Sequence, residues 1–155
     1  MGVKISRFEN EFRLEAELLL PRKIEDVFSF FAEARNLEEL TPPMLRFQIM
    51  SQAEIEMSSG ATIDYRLRIH GVPVRWTSLI SEWDPPNLFV DEQIRGPYRY
   101  WIHQHIFEEH ESGTVVKDFV RYQVFGGQLV HKLFVKRDLV KIFSFRQEQL
   151  LRRFS

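Results

Sequence analysis

Alternating apolar and polar residues predict that most of the chain forms β-strands. Between residues 12 and 18, every even position is apolar and every odd position is charged. Such alternation is typical of a strand with one buried face. Further strand-like stretches follow through short turns, which indicates an antiparallel meander. They cover residues 45–50, 62–70, 74–83, 88–94, 98–107 and 114–125.

Two segments have helical spacing instead. Residues 21–40 predict two short helices that are separated near Asn36 and end before the Thr41-Pro42-Pro43 loop. Residues 128–154 predict one long amphipathic helix. Its apolar stripe is predicted to contain Leu129, Leu133, Val140, Phe143, Leu151 and Phe154, with Phe134 and Phe145 beside them. Its opposite face is basic and is expected to be exposed, with His131, Lys132, Lys136, Arg137, Lys141, Arg146, Arg152 and Arg153.

These elements predict an α+β fold in a single domain, 1–155. A curved antiparallel sheet of about seven strands would wrap around the long C-terminal helix, with two short helices after strand 1. A sheet of this size twists and needs a cover for its apolar face. The terminal helix is long enough to provide that cover, and a hollow is expected between the two.

Composition narrows the class of protein. The 14 phenylalanines indicate a large core or an apolar cavity, because phenylalanine adds bulk without a hydrogen-bonding group. A net charge of −1 gives no general attraction to nucleic acid, and no apolar run is long enough for stable membrane insertion. The absence of cysteine excludes disulfides and favours a cytoplasmic location.

The stretch YRYWIHQHIF, residues 98–107, carries the candidate chemistry. Its histidines, His103 and His105, are two positions apart on a strand, so they lie on one side about 7 Å apart. A turn at residues 111–112 would place His105 opposite Asp118, which could accept its hydrogen bond. The pair is interpreted first as a satisfied polar pair in the interior, then as ligand-orienting groups. Two histidines are too few for zinc, so no metal site is predicted.

The neighbouring strand, residues 114–125, predicts which face of residues 98–107 points inward. Residues Lys117 and Arg121 face solvent, so the alternate residues of that strand face the hollow. An aromatic wall with a few convergent polar groups is typical of a small-molecule pocket. The predicted ligand-binding residues are Tyr65, Phe89, Asp91, Gln93, Trp101, His103, His105, Phe107, Asp118, Val120, Tyr122 and Phe143.

Three segments carry a resemblance to a known group of proteins. LPRKIEDVFSFFAEARNLEELTPP, DEQIRGPYRYWIHQHIF and GTVVKDFVRY resemble the cyclase/dehydrase branch of the START-related superfamily, also called SRPBCC. The resemblance runs in order over residues 12–125. It implies the helix-grip fold shared with the birch-pollen allergen type. Members of the group include lipid carriers, receptors for hydrophobic ligands and polyketide aromatases, so the resemblance implies no single activity.

The predicted function is binding or transport of a small hydrophobic ligand, without a cofactor. The first alternative is a cyclase, aromatase or dehydratase acting on polyketide-like substrates, with His105 and Asp118 as the catalytic candidates. It ranks second because the sequence has no nucleophile elbow or phosphate-binding loop. The second alternative is an interaction module for a protein or membrane that uses the basic C-terminal helix. Homo-oligomerisation stays open.

Overall fold

The computed structural model describes residues 2–50 and 54–155, which are dominated by one antiparallel sheet. Within these ranges the sheet has eight strands, in the order β1-β2-β8-β7-β6-β5-β4-β3. The prediction of about seven strands is therefore corrected to eight. The strands are β1 (Gly2–Phe8), β2 (Glu11–Leu20), β3 (Gln48–Ile49), β4 (Thr62–Ile69), β5 (Val72–Asp84), β6 (Leu88–Arg95), β7 (Tyr100–His110) and β8 (Gly113–Gln123).

The additional strand is β1 at the edge of the sheet. It runs antiparallel to β2, from Gly2 opposite Glu17 to Phe8 opposite Glu11. Only Val3 and Ile5 of this strand pack against the core. Its other side chains are exposed, as is common on an edge strand, so its alternation is too weak to predict a strand.

Two short helices follow β2, as predicted. Helix α1 (Ile24–Phe31) buries most of its side chains, and α2 (Leu37–Leu40) comes directly after a 3₁₀ turn that ends at Asn36. The loop predicted at residues 41–43 leads into a second 3₁₀ turn, Pro43–Leu45. That turn shortens the strand predicted at 45–50 to the two residues of β3.

The C-terminal helical segment has three parts: α3 (Gly127–Val130), a π-helical turn (His131–Val135) and α4 (Lys136–Phe154). The predicted apolar stripe is wrong in its first half, because Leu129, Leu133 and Val140 are 67%, 52% and 36% exposed. His131, expected on the exposed basic face, is buried. A π turn contains more residues than an α turn, so it shifts the phase of the residues that follow. The buried residues of α4 are Leu139, Phe143, Arg146, Gln147, Leu150 and Phe154.

The hairpin of β7 and β8 has the predicted register, with His105 opposite Asp118 and His103 opposite Val120. Its turn ends at Gly113, whose φ is +144°. A Cβ atom there would lie 2.0 Å from the backbone oxygen of Leu20, so only glycine is accommodated without a shift of the backbone. None of the helices in the described ranges is long and apolar enough to cross a membrane.

Candidate ligand-binding site

A cavity of about 550 Å³ lies between the inner face of the sheet and α4. Its wall is mostly apolar, and its size is in the range of small-molecule sites. Exposed residues that line it, such as Met44, His70 and Phe125, show where it opens to solvent. Seven of the predicted ligand-binding residues line this cavity: Tyr65, Phe89, Asp91, Trp101, His103, His105 and Phe143.

The other five predicted residues are placed differently. Four of them are buried on the predicted inward face of β7 and β8 but do not line the cavity: Phe107, Asp118, Val120 and Tyr122. Gln93 supports a turn instead: its Nε2 donates to the Tyr98 carbonyl at 2.8 Å and its Oε1 accepts from the Tyr98 amide at 3.0 Å. It therefore shapes the loop between β6 and β7.

Five charged or titratable side chains meet at the cavity wall, and we call them the polar cluster: Asp91, His103, His105, Asp118 and Arg146. All of them except Asp118 line the cavity. His105 lies at the centre of the cluster. Its Nε2 donates to Oδ2 of Asp91 at 2.5 Å, while its Nδ1 accepts from Nη2 of Arg146 at 3.1 Å. This arrangement fixes His105 as a neutral imidazole with its proton on Nε2.

Each histidine forms its hydrogen bond with the carboxylate that lies opposite the other histidine. Asp118 was expected to accept from His105, which is directly opposite, but His105 Nδ1 lies 3.8 Å from Oδ1 of Asp118. Nε2 of His103 donates to that oxygen instead, at 2.7 Å. Likewise Asp91 is opposite His103 but bonds His105. Each imidazole is long enough to reach the diagonal carboxylate on a neighbouring strand, and the two rings stack with centroids 3.6 Å apart.

Burial and neighbouring charges shift the pKa values in the polar cluster. Burial, assisted by His103, lowers the pKa of His105 to about 4. Burial alone would raise the pKa of Asp118, but Arg146 and His103 outweigh it and hold that pKa well below its ordinary value. The pKa of Asp91 is lowered in the same way, mainly through its hydrogen bond from His105. At neutral pH the cluster therefore holds two carboxylates, a neutral His105 and the Arg146 guanidinium.

Arg146 is the residue of this site that the sequence interpretation missed, because it was assigned to the exposed basic face. It is 8% exposed, lines the cavity, and places its guanidinium carbon 5.3 Å from the centroid of the Phe31 ring. Its Nη2 lies 3.6 Å from Oδ1 of Asp118. Its Nε is buried without a hydrogen-bond partner among the described residues. The sequence signal was its position among Leu139, Phe143, Leu150 and Phe154, which have helical spacing.

Asp91, His103 and His105 are close enough to be considered as metal ligands, since their ligand atoms lie within 4.8 Å of one another. The ring geometry does not favour this role. A metal lies near the plane of each imidazole that binds it, and these rings are stacked with an interplanar angle of 23°. Arg146, in contact with Nδ1 of His105, also places a positive charge beside the position. The three residues therefore fit a hydrogen-bonded network better than a metal site.

The architecture is a helix-grip fold: a curved antiparallel sheet around a long C-terminal helix, closed by two short helices. Residues 20–141 match the family model described as "Polyketide cyclase / dehydrase and lipid transport". Since this match covers most of the chain, the protein belongs to that family. The resemblance to the START-related SRPBCC superfamily is thereby confirmed. A search of curated proteins gave no match.

Solved structures share the fold at low identity. Protein Ms6760 from Mycobacterium smegmatis is 16% identical with a TM-score of 0.68, over 97% of this chain and 94% of that chain. Ginseng major latex-like protein 151 from Panax ginseng is 8% identical with a TM-score of 0.70, over 94% and 98%. Protein CV1439 from Chromobacterium violaceum is 12% identical with a TM-score of 0.71, over 95% and 98%. At these identities the similarity establishes the fold alone.

Proposed function

We propose that the protein binds a small hydrophobic ligand in the cavity between the sheet and α4, either to carry it or to sense it. The observation that supports this proposal is an apolar cavity of about 550 Å³ with one polar cluster at its wall. Pockets of this composition bury an apolar ligand body and orient it through few polar contacts. The family and the fold are consistent with hydrophobic ligands.

Aromatic side chains supply the surface for the ligand body. Trp76, Trp101 and Phe143 are buried, and all three line the cavity. Their rings form a continuous wall, since Trp76 and Trp101 meet edge to face at 5.6 Å and Trp101 lies 6.4 Å from Phe143. Removing apolar ligand surface from water against this wall stabilises the complex by roughly 25 cal/mol per Å².

A cyclase or dehydratase is the runner-up because His105 and Asp118, its catalytic candidates, do lie in the polar cluster. The contacts of His105 favour binding over catalysis. A general base needs a free lone pair, and Nδ1 of His105 already accepts from Arg146. His105 also has a pKa of about 4, which makes it a weak base at neutral pH. Asp118 does not line the cavity and is held by His103 and Arg146.

Fluorescence titration with N-phenyl-1-naphthylamine, an uncharged apolar probe that brightens in apolar surroundings, tests the proposal. The wild-type protein is expected to bind one equivalent. Ile142→Trp should weaken binding at least about tenfold, because Ile142 lines the cavity and the larger side chain would occupy it. Lys141→Trp is the matched control, because the neighbouring Lys141 is exposed and does not line the cavity. Equal binding by both variants would contradict the proposal.

A second candidate function, docking on an anionic membrane surface, is favoured by one exposed surface beside the opening. Leu129, Leu133 and Phe134 are 52–67% exposed, and Lys132 and Lys136 are exposed among them. Exposed apolar residues with flanking cations are typical of helices that lie at a membrane interface. Co-sedimentation with vesicles of phosphatidylcholine and phosphatidylglycerol should be lost in Leu133→Glu. Equal sedimentation of wild type and variant would remove this candidate.

A further inference from the structure

We propose that the ligand presents an uncharged hydrogen-bond acceptor, such as a ketone, ester or amide carbonyl, to Nε of Arg146. This inference rests on the proposed function and specifies the chemistry of its ligand. It excludes pure hydrocarbons and free carboxylates as the best ligands. Arg146 thereby becomes the residue that determines specificity within a mostly apolar cavity.

The first argument is the unpartnered donor. Nε of Arg146 is buried and has no acceptor among the described residues, although most buried polar groups in folded proteins are hydrogen-bonded. An N–H left without an acceptor is costly, particularly on a charged group. Arg146 also lines the cavity, so a ligand oxygen that packs against this side chain, with a small shift of the neighbouring atoms, can supply the acceptor that Nε lacks.

The second argument is that Nη2 of the same guanidinium is already engaged. This Nη2 donates to Nδ1 of His105 and lies 3.6 Å from Asp118, and the guanidinium carbon lies 5.3 Å from the centroid of the Phe31 ring. Turning Nε toward another acceptor would break these contacts. The donor is therefore held in place before a ligand arrives, which reduces the entropic cost of binding.

The third argument concerns charge, and it selects an uncharged acceptor. Asp91 and Asp118 bring two negative charges, whereas Arg146 brings one positive charge and His105 is neutral. His103, which bonds Asp118, can add at most one further positive charge. The polar cluster thus has a net charge between −1 and zero. A ligand carboxylate would add an uncompensated buried charge, which is strongly unfavourable, whereas a carbonyl oxygen adds none.

Three naphthalene derivatives of equal size test these arguments: 2-acetylnaphthalene, 2-isopropylnaphthalene and 2-naphthoate. Their dissociation constants are measured at pH 7 by displacement of N-phenyl-1-naphthylamine. For each protein variant, the dissociation constant of the hydrocarbon is divided by that of the ketone. Comparing this ratio between variants cancels the difference between the two ligands in their free energy of transfer from water. In the wild-type protein 2-naphthoate should bind at least about tenfold more weakly than the ketone. Tighter binding of 2-naphthoate than of the ketone would overturn the choice of an uncharged acceptor.

Two substitutions locate the interaction. Arg146→Lys keeps the positive charge but replaces Nε by a methylene group, and Arg146→Met removes both. The hydrocarbon-to-ketone ratio should fall about tenfold in Arg146→Lys and at least as much in Arg146→Met, whereas Arg152→Lys, an exposed control on the same helix, should leave it unchanged. The infrared carbonyl stretch of bound ketone should lie at lower frequency in wild type than in Arg146→Met.

The outcomes separate this inference from the proposed function. If the fluorescent probe and the hydrocarbon bind every variant but the ratio stays within a factor of two, the cavity binds ligands and the role of Arg146 is refuted. If neither probe nor hydrocarbon binds the wild-type protein, the proposed function itself is refuted. Retained hydrocarbon binding also shows that the Arg146 variants are folded.

Discussion

Acidification is predicted to destabilise the protein through His105. In the folded protein its pKa is about 4, because it is buried next to His103 and receives a hydrogen bond from Arg146. In the unfolded chain its pKa is about 6.5. As the pH falls, the unfolded state therefore binds the proton first. The contribution of neutral His105 is fully present above pH 6.5 and is lost between pH 6.5 and 4.

The size of the effect follows from that difference. A pKa shift of one unit corresponds to about 1.36 kcal/mol, so the shift from about 6.5 to about 4 gives a loss of about 3 kcal/mol. This is a large share of the typical stability of a domain, about 5–15 kcal/mol. His131, whose pKa is also lowered to about 4, mainly by burial, adds in the same direction. Asp91 and Asp118 have lowered pKa values, so their loss begins only below about pH 4.

Urea denaturation followed by tryptophan fluorescence, at pH values from 4.5 to 7.5, measures the effect. The comparison is between the wild type and His105→Gln, which removes the proton-binding site while keeping an amide donor for Asp91. The free energy of unfolding of the wild type should fall more steeply, by up to about 1.4 kcal/mol per pH unit. His110→Gln is the control, because His110 is exposed. Parallel curves for the wild type and His105→Gln would refute the reasoning.

Three further predictions concern the fold and the polar cluster. Asp118→Asn should lower the free energy of unfolding by about 3 kcal/mol in urea, because Arg146 and His103 lose a buried anionic partner; wild-type stability would contradict this. Gly113→Ala should cost at least about 2 kcal/mol in the same assay, since its Cβ would clash with the Leu20 carbonyl, and an unchanged midpoint would be the contrary result. One equivalent of Zn²⁺ should change the melting temperature of the wild type and of His105→Gln equally, because no metal site is expected at His105. A rise in melting temperature that occurs only in the wild type would show a metal site.

Local pattern was sufficient to predict most of the sheet. The alternation along β7 and β8 and the two-residue turn between them were enough to place His105 opposite Asp118. Strand alternation and turn length can be predicted locally, because each depends only on residues that are close in sequence. The inward face of β8 was also predicted correctly, and its alternate residues are buried. The edge strand β1 was missed because it buries little, so its pattern resembles that of a solvated segment.

The polar cluster required information that the pattern does not contain. The π turn at His131–Val135 changes the phase of the helix, so a stripe that begins at Leu129 and Leu133 assigns Arg146 to the exposed face. Its spacing from Leu139 and Phe143 nevertheless matches the buried residues of α4. The pairing of histidines with carboxylates depends on side-chain reach across three strands, β6, β7 and β8, and not on register. Each histidine bonds the carboxylate diagonal to it, at 2.5 and 2.7 Å.

The central claim is that a small hydrophobic molecule enters the space between the sheet and α4. Intermolecular nuclear Overhauser effects between N-phenyl-1-naphthylamine and protein methyl groups test it most directly. We expect contacts to Ile63, Ile80 and Leu139, which line the cavity and are at most 2% exposed. Contacts confined to the exposed methyl groups of Leu129 and Leu133 would contradict the claim, because the probe would then lie on the outer surface of the helix.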